Sequence, residues 1–423
     1  MRTTSVWQEI LAVPDTVIEG VDFDEVGEAV IVMVRPRAKV SSRCGVCGGK
    51  APGYDQGDGR PRRWRGLDLG STMVFLEATV PRVACPTHGV TTAGVPWARH
   101  RSRFTIGFED TTAWLAVHTA KAVVSTYLRV VWRTVGAIVT RVQAELTASG
   151  DPLAGLTRIG IDEIAYKRNH LYLIVVVDHD TGHLVWAAPG RDEATLATFF
   201  AQLGPERCAR ITQVSADAAR WIATAVARHC PQARQCADPF HVVAWAMEAL
   251  DLVRRDRWNE LRDRTPIRPG TRRRATGGAR SLKHARFALW KNPEHLTPKQ
   301  RAQLAWIAKA DPMLHRAYLL KEGLRLVFTV KGETGKQMLD DWIQWARRCR
   351  IPAFVELQRR ITKHRATIDA ALDTGLSNAL IESTNTKIRL LTRIAFGFHD
   401  PQALVALALL KLGPYQPALP GRD

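Results

Sequence analysis

The sequence has no long apolar run. Its longest stretch of that kind, VALALLKLG near the C-terminus, falls short of the ~18–20 residues that cross a bilayer. The N-terminus has no basic segment followed by an apolar one, so export is not expected. A GxxxxGK[ST] loop is absent, which argues against ATP-driven chemistry. Cysteines number only 7, an odd count, and three of them fall at metal-like spacing. A reducing cytoplasm with few or no disulfides is the expected setting. Acidic residues are scarce beside basic ones: 41 Asp and Glu against 60 Lys and Arg, a formal charge of +19. The basic residues cluster, so the excess points to a polyanionic partner. No basic amphipathic helix with a strong apolar face stands out, which favours nucleic acid over a membrane surface. At 423 residues the chain can hold two to four domains.

What is present begins with alternating apolar and polar residues over 15–37, as in TVIEGVDF and EAVIVMVRPR, the pattern of a small antiparallel sheet. Cys44 and Cys47 then form a CxxC on a glycine-rich turn, and Cys85 and His88 repeat that spacing beyond a hairpin. Three thiolates and one imidazole close a tetrahedral site, so a structural Zn²⁺ ribbon is expected over 1–100. Unpaired thiols on loops are the weaker alternative. Arg99 to Arg103, RHRSR, reads as a basic linker. Apolar residues then recur every three to four positions from Phe108 to Leu146, with a break near Leu128–Val130. That layout suggests a helix-turn-helix over 104–150, with Trp132, Arg133, Thr134 and Arg141 facing a groove or its phosphates. A plain helical hairpin is the alternative.

The chain is organised around IGIDEIAYKRNHLYLIVVV, residues 159–177. It reads as two β-branched strands carrying Asp162 and Glu163, and a carboxylate among buried apolar residues is costly unless paired or metal-bound. Strands follow at 182–188, 210–215 and 233–237, with helices at 192–203 and 218–229. Three antiparallel strands followed by alternating helix and strand open a ribonuclease-H-like fold, expected over 156–244. A doubly wound nucleotide-binding fold would need a glycine-rich loop after its first strand, which is missing. Asp217, in VSAD, caps a helix or meets Asp162 beside it, where two carboxylates repel unless a cation lies between them. Asp238 caps the next helix, approaches the same site, or orients His241. Cys230 and Cys236 fit no regular site and are taken as core or surface thiols.

Residues 245–375 read as a helical, basic insertion. Arg272, Arg273, Arg274, Arg280 and Lys283 fall in a stretch with no offsetting acid, suited to neutralising phosphates. Beyond it, in SNALIESTNTKIR, positions 378, 382, 385 and 389 form one helical stripe: Asn378, Glu382, Asn385 and Arg389. Ile381, Ile388 and Leu391 are expected to pack on the sheet. Glu382 thereby becomes a third acid for the site, within a last core segment at 376–413.

Taken together, CGVC…CPTH, the helix-turn-helix, IGIDEIAYKRNHLY, VSAD, DPFHVV, SNALIESTNTKIR and AFGFHDP resemble bacterial insertion-sequence transposases of the DDE type, in the ISL3 family. The resemblance spans nearly the whole length. It implies a ribonuclease-H-like core with a large helical insertion, preceded by a zinc ribbon and a helix-turn-helix. It also implies Asp162, Asp217 and Glu382 as catalytic ligands of two Mg²⁺ or Mn²⁺ ions, with Asp238 and His241 in support. The implied activity is cleavage at terminal inverted repeats and strand transfer into target DNA, by at least a dimer acting in the cytoplasm. Ala379 departs from the pattern, which leads one to expect Gly there. A domesticated DNA-binding regulator without catalysis is the rival expectation.

Overall fold

The computed structural model describes residues 3–167, 171–217, 219–263, 282 and 284–422. Arg272, Arg273, Arg274, Arg280 and Lys283 lie outside the described residues. The chain divides into two compact units, residues 1–152 with 391–423, and residues 153–390.

The first unit opens with helix α1 (Thr3–Leu11) and strands β1 (Thr16–Asp24) and β2 (Ala29–Pro36), paired antiparallel as the alternation requires. Five short strands follow: β3 (Gly53–Asp55), β4 (Arg62–Arg65), β5 (Met73–Ala78), β6 (Arg82–Cys85) and β7 (Gly89–Thr92). They form one sheet in the order β1-β2-β5-β4 and another in the order β3-β6-β7. The hairpin between the two Cys pairs is therefore not a ribbon on its own. Its β5 strand adds parallel to β2, because Val74 and Leu76 share one buried face with Val32. Trp64 and Trp97 close this core edge-to-face, centroids 5.6 Å apart.

Three helices come next: α2 (Ile106–His118), α3 (Lys121–Tyr127) and α4 (Trp132–Ser149), with α3 and α4 turning by 105°. Arg129 takes φ +53° in the turn between them. The RHRSR segment is not a loose linker. Arg99 makes ion pairs with Glu109, Asp110 and Glu145, and the Ser102 hydroxyl donates to Glu109 at 2.7 Å. The final helix, Pro401–Leu412, packs against α4. Its apolar surface, with Leu404 and Ala408 fully buried, packs within the first compact unit.

The second unit is built on β8 (Arg158–Lys167), β9 (Leu171–Asp178), β10 (Leu184–Pro189), helices α5 (Glu193–Leu203) and α6 (Pro205–Cys208), β11 (Gln213–Ala216), helix α7 (Arg220–His229), β12 (Arg234–Ala237) and helix α8 (Pro239–Asp263). The strand order is β10-β9-β8-β11-β12, with β8, β11 and β12 parallel and the other pairings antiparallel. Ile159, Gly160 and Ile161 are all buried, so both faces of β8 are covered, which is why this strand reads as a run instead of an alternation. Phe199 and Phe200 of α5 and Ile222 of α7 pack on one face. After α8, helices at 298–310, 312–327, 332–348, 352–363 and 365–374 enclose a separate core around Leu314, Leu320, Leu339, Trp342 and Phe354. The last two of these helices are separated by a break at His364, where ψ turns to 14°.

Gly160 sits where β8 is squeezed between its neighbours. A Cβ there would lie 2.9 Å from His179 Nε2 and from Val177 Cγ2, and 3.2 Å from Ser215 Oγ. Gly160→Ala is expected to destabilise the second unit by about 1–3 kcal/mol through overpacking. A urea midpoint equal to that of the wild type would show that the strands spread freely.

Candidate functional site

Three strands of the second unit deliver an aspartate to the same edge. The parallel register sets Ile161, Ala216 and Ala237 in one row across β8, β11 and β12. The residue that follows on each strand is Asp162, Asp217 and Asp238. Neighbouring strands lie ~4.8 Å apart, so the carboxylates crowd the carboxyl ends of the parallel strands, where open α/β sheets take their ligands. Ligand atoms of Asp217, Asp238 and His241 lie within 4.8 Å of one another. His241 Nδ1 is 2.8 Å from Asp238 Oδ2 and 3.0 Å from Asp217 Oδ1. Asp238 is buried, and its Oδ1 accepts from the backbone N–H groups of Phe240 and Asn378, each at 3.3 Å.

The segment from Asn378 through the helix Ala379–Ile394 supplies the other contacts. Asn378 and Asn385, 1% and 3% exposed, donate Nδ2 to Asp217 at 3.4 Å and to Asp162 at 2.7 Å. They therefore share the buried face with Ile381, Thr384 and Ile388, while Glu382 and Arg389 are exposed. The stripe inferred from sequence straddles this boundary. Ala379 is exposed at the helix start, so a methyl in place of hydrogen there meets no crowding.

The acids resist ionising together. Burial, reinforced by the Asp217 charge, pushes Asp162 up to about 7. Burial also raises Asp217. Glu382 is raised by desolvation and by the negative Asp238. His241 is raised by its hydrogen bond to Asp238. Such a cluster suits a divalent cation. The donors are hard oxygens, and the Asn378 and Asn385 Oδ1 atoms are buried with no hydrogen-bond partner among the described residues.

A second cluster, in the first unit, has a different chemistry. Ligand atoms of Cys44, Cys47, Cys85 and His88 lie within 4.8 Å of one another. Cys47 Sγ is 3.8 Å from Cys85 Sγ, and His88 Nδ1 is 3.8 Å from Cys44 Sγ and 3.6 Å from Cys85 Sγ. Four ligands at ~2.3 Å in a tetrahedron stand about 3.8 Å apart, so the set fits zinc. The Cys47 backbone N–H lowers the Cys44 thiol, and the His88 side chain lowers Cys85.

The helix-turn-helix residues divide. Arg133 is exposed and Thr134 half-buried at the start of α4. Trp132 instead packs over Lys121, whose Nζ is 3.8 Å from the ring centroid, and meets His399 edge-on. Arg141, expected to face DNA, turns inward onto buried Glu109.

Residues 159–408 match a transposase family model of the ISL3 DDE type. Residues 41–88 match the zinc-finger of the IS204/IS1001/IS1096/IS1165 transposases, and residues 95–143 the helix-turn-helix domain of transposase family ISL3. The chain belongs to the ISL3 family of insertion-sequence transposases. Its enzymatic class is DDE transposase, for which divalent metal use and a structural zinc are implied. It is 61% identical to the transposase for insertion sequence element IS1557 of Mycobacterium tuberculosis, over 100% of this chain and 98% of that protein, in each of two strains. It is 28% identical to the transposase for insertion sequence element IS1001 of Bordetella parapertussis, over 91% and 92% of the two chains. No single helix among the described residues is long and apolar enough to cross a membrane.

From the sequence, Asp217 is expected to meet Asp162, and Asp238 to approach the same site. The strand register sets the three in one row, Asp162 within β8 and Asp217 and Asp238 just past the ends of β11 and β12. For Asp162 the folded value lies above that of an unfolded carboxylate. Its protonated form is favoured on folding, so stability present below pH ~4 is lost as pH rises through about 7. Without added divalent cation, Asp162→Asn should therefore melt above the wild type at pH 8 and converge on it toward pH 4. Equal melting at both values would show that Asp162 ionises without penalty.

Proposed function

We propose that Asp162, Asp217 and Glu382 hold two divalent cations, Mg²⁺ or Mn²⁺. With them the protein cuts DNA at the terminal inverted repeats of its element and transfers the freed 3′ ends into target DNA. The observation that carries this reading is the adjacency of Asp162 and Asp217 at one strand edge, each held by an amide from the segment that bears Glu382. The strand order, three antiparallel strands followed by two parallel to the first, is the arrangement of a ribonuclease-H-like core and supports that fold.

When bound, the ions would polarise the scissile phosphate and acidify the attacking water or 3′-hydroxyl. The side chains do the rest. Asn385 fixes the rotamer of Asp162, and its Nδ2–H favours the ionised carboxylate. Asn378 does the same for Asp217, and its backbone N–H donates to Asp238 Oδ1. His241, protonated more readily than a free imidazole, offsets the negative charge between Asp217 and Asp238. Asp238 thus acts by holding His241. Lys387 and Arg389, exposed on the helix of Glu382, are available to phosphate.

Terminal-repeat recognition is assigned to the first unit, with Arg133 and Thr134 at the start of α4 entering the groove. Two element ends must be held together, so the active complex contains at least two copies, and its setting is the cytoplasm.

The test is Mg²⁺-dependent cleavage of a duplex carrying the terminal repeat, followed by joining to a second duplex. Asp162→Ala, Asp217→Ala and Glu382→Ala should each lose at least ~10³-fold in cleavage rate, the scale on which electrostatic machinery is lost, while still binding the repeat. Wild-type cleavage rates in these variants would refute the assignment. Cleavage without joining would reduce the protein to a nuclease.

A further inference from the structure

A groove of about 930 Å³ opens in the first unit between the Cys44–Gly48 turn, β4 and the RHRSR segment. Six arginines line it, Arg43, Arg62, Arg63, Arg99, Arg101 and Arg103, with no Asp or Glu among the lining residues. We propose that this groove, formed where the zinc-finger segment meets the start of the helix-turn-helix segment, binds the phosphodiester backbone of duplex DNA by contacts distinct from those of α4. The proposal rests on the reading of the protein as a DNA-binding transposase and names a surface that reading does not require.

Two of the arginines are spent on the fold. Arg63 pairs with Glu77 and Asp24, and Arg99 with Glu109, Asp110 and Glu145. Arg62, Arg101 and Arg103 are exposed and make no ion pair among the described residues. A cluster of like charge left without internal partners, in a concave wall, costs self-repulsion that a polyanion would relieve.

The backbone holds these three residues in place. Arg65 N–H donates to the Arg103 carbonyl at 2.9 Å, and Thr105 N–H to the Arg65 carbonyl at 2.9 Å, so the segment is stitched to β4. Ser102 is buried and hydrogen-bonded to Glu109, which turns its neighbours Arg101 and Arg103 outward. Arg101 takes φ +59°, an uncommon conformation for a residue with a side chain, held here by the hydrogen bonds on either side. The zinc-ribbon turn closes the opposite wall. A Cβ on Gly45 would lie 2.7 Å from the Thr92 carbonyl and 2.8 Å from His100 Nδ1, so the turn is already seated against this segment. Preorganised cations on a stiff wall suit a backbone, whose charge repeats whatever the bases.

The experiment measures binding of the full-length, zinc-loaded protein to a terminal-repeat duplex and to an unrelated duplex of equal length, across a salt titration. For Arg62→Ala/Arg101→Ala/Arg103→Ala, the slope of log affinity against log salt should shrink by roughly 2–3, at ~0.9 for each phosphate no longer neutralised. Affinity at moderate salt should fall by a similar factor for both duplexes. The triple Arg→Lys variant, which keeps the charges, should retain most of the slope. Should the alanine variant lose zinc or melt early, triple Arg→Gln carries the same test. A slope and affinities unchanged from wild type would overturn the groove. So would a loss confined to the terminal repeat, since binding to the backbone does not read sequence. Wild-type preference for the repeat over the unrelated duplex tests the transposase reading by itself. Its absence would sink that reading while leaving the slope change to judge the groove.

Discussion

Carboxylates packed at one rim of a sheet cannot all carry charge without something positive between them, and the second unit is arranged around that constraint. In-register parallel pairing of β8, β11 and β12 forces Asp162, Asp217 and Asp238 side by side. The fold answers with directed dipoles and one imidazole: Asn385 on Asp162, Asn378 on Asp217, and His241 between Asp217 and Asp238. These contacts leave Asp162 half inclined to keep its proton near neutrality. A site in that condition is poised for hard cations, because each ion that enters relieves repulsion the apoprotein already bears.

The first unit solves a different problem with different atoms. It is β-rich and has short strands, so much of its definition comes from cross-links between segments distant in sequence. The Cys44, Cys47, Cys85 and His88 cluster is one such link, joining turns about forty residues apart. The buried Glu109, held by Arg99, Arg141 and Ser102, is another. Removing one partner from a buried charge cluster of this kind typically costs about 3–5 kcal/mol, more than the cluster contributes as a whole, because the remaining charge is stranded.

The parts of this architecture that are legible in the sequence are those written in local pattern. Runs of β-branched residues mark β8 and β9, paired spacing marks the metal-binding turns, and the break near Leu128 marks the turn between α3 and α4. What stays hidden is what depends on partners far away. Arg141 looks like a free cation on a recognition helix, yet Glu109, thirty-two residues upstream, claims it. RHRSR looks like a flexible basic tether until Arg99 and Ser102 are seen facing inward. That Asp162 and Asp217 meet can be read once a fold is assumed, but the row that adds Asp238 in step with them needs the strand register, which is fixed by tertiary pairing that no single strand encodes. Asn378 and Asn385 fall on one stripe by helical spacing alone, but which side of it is buried follows only from where the helix lies.

The packing of the Pro401–Leu412 helix on α4 gives chain order a physical meaning. A ribosome releases the zinc turns and α2–α4 first, and domains tend to fold as they emerge. Here, however, one wall of the DNA-reading unit is encoded roughly 250 residues later, after the entire sheet and its helical insertion. A polypeptide cut short by a frameshift or nonsense codon would lack that wall. Helix α4 would then keep an uncovered apolar flank in place of a finished domain.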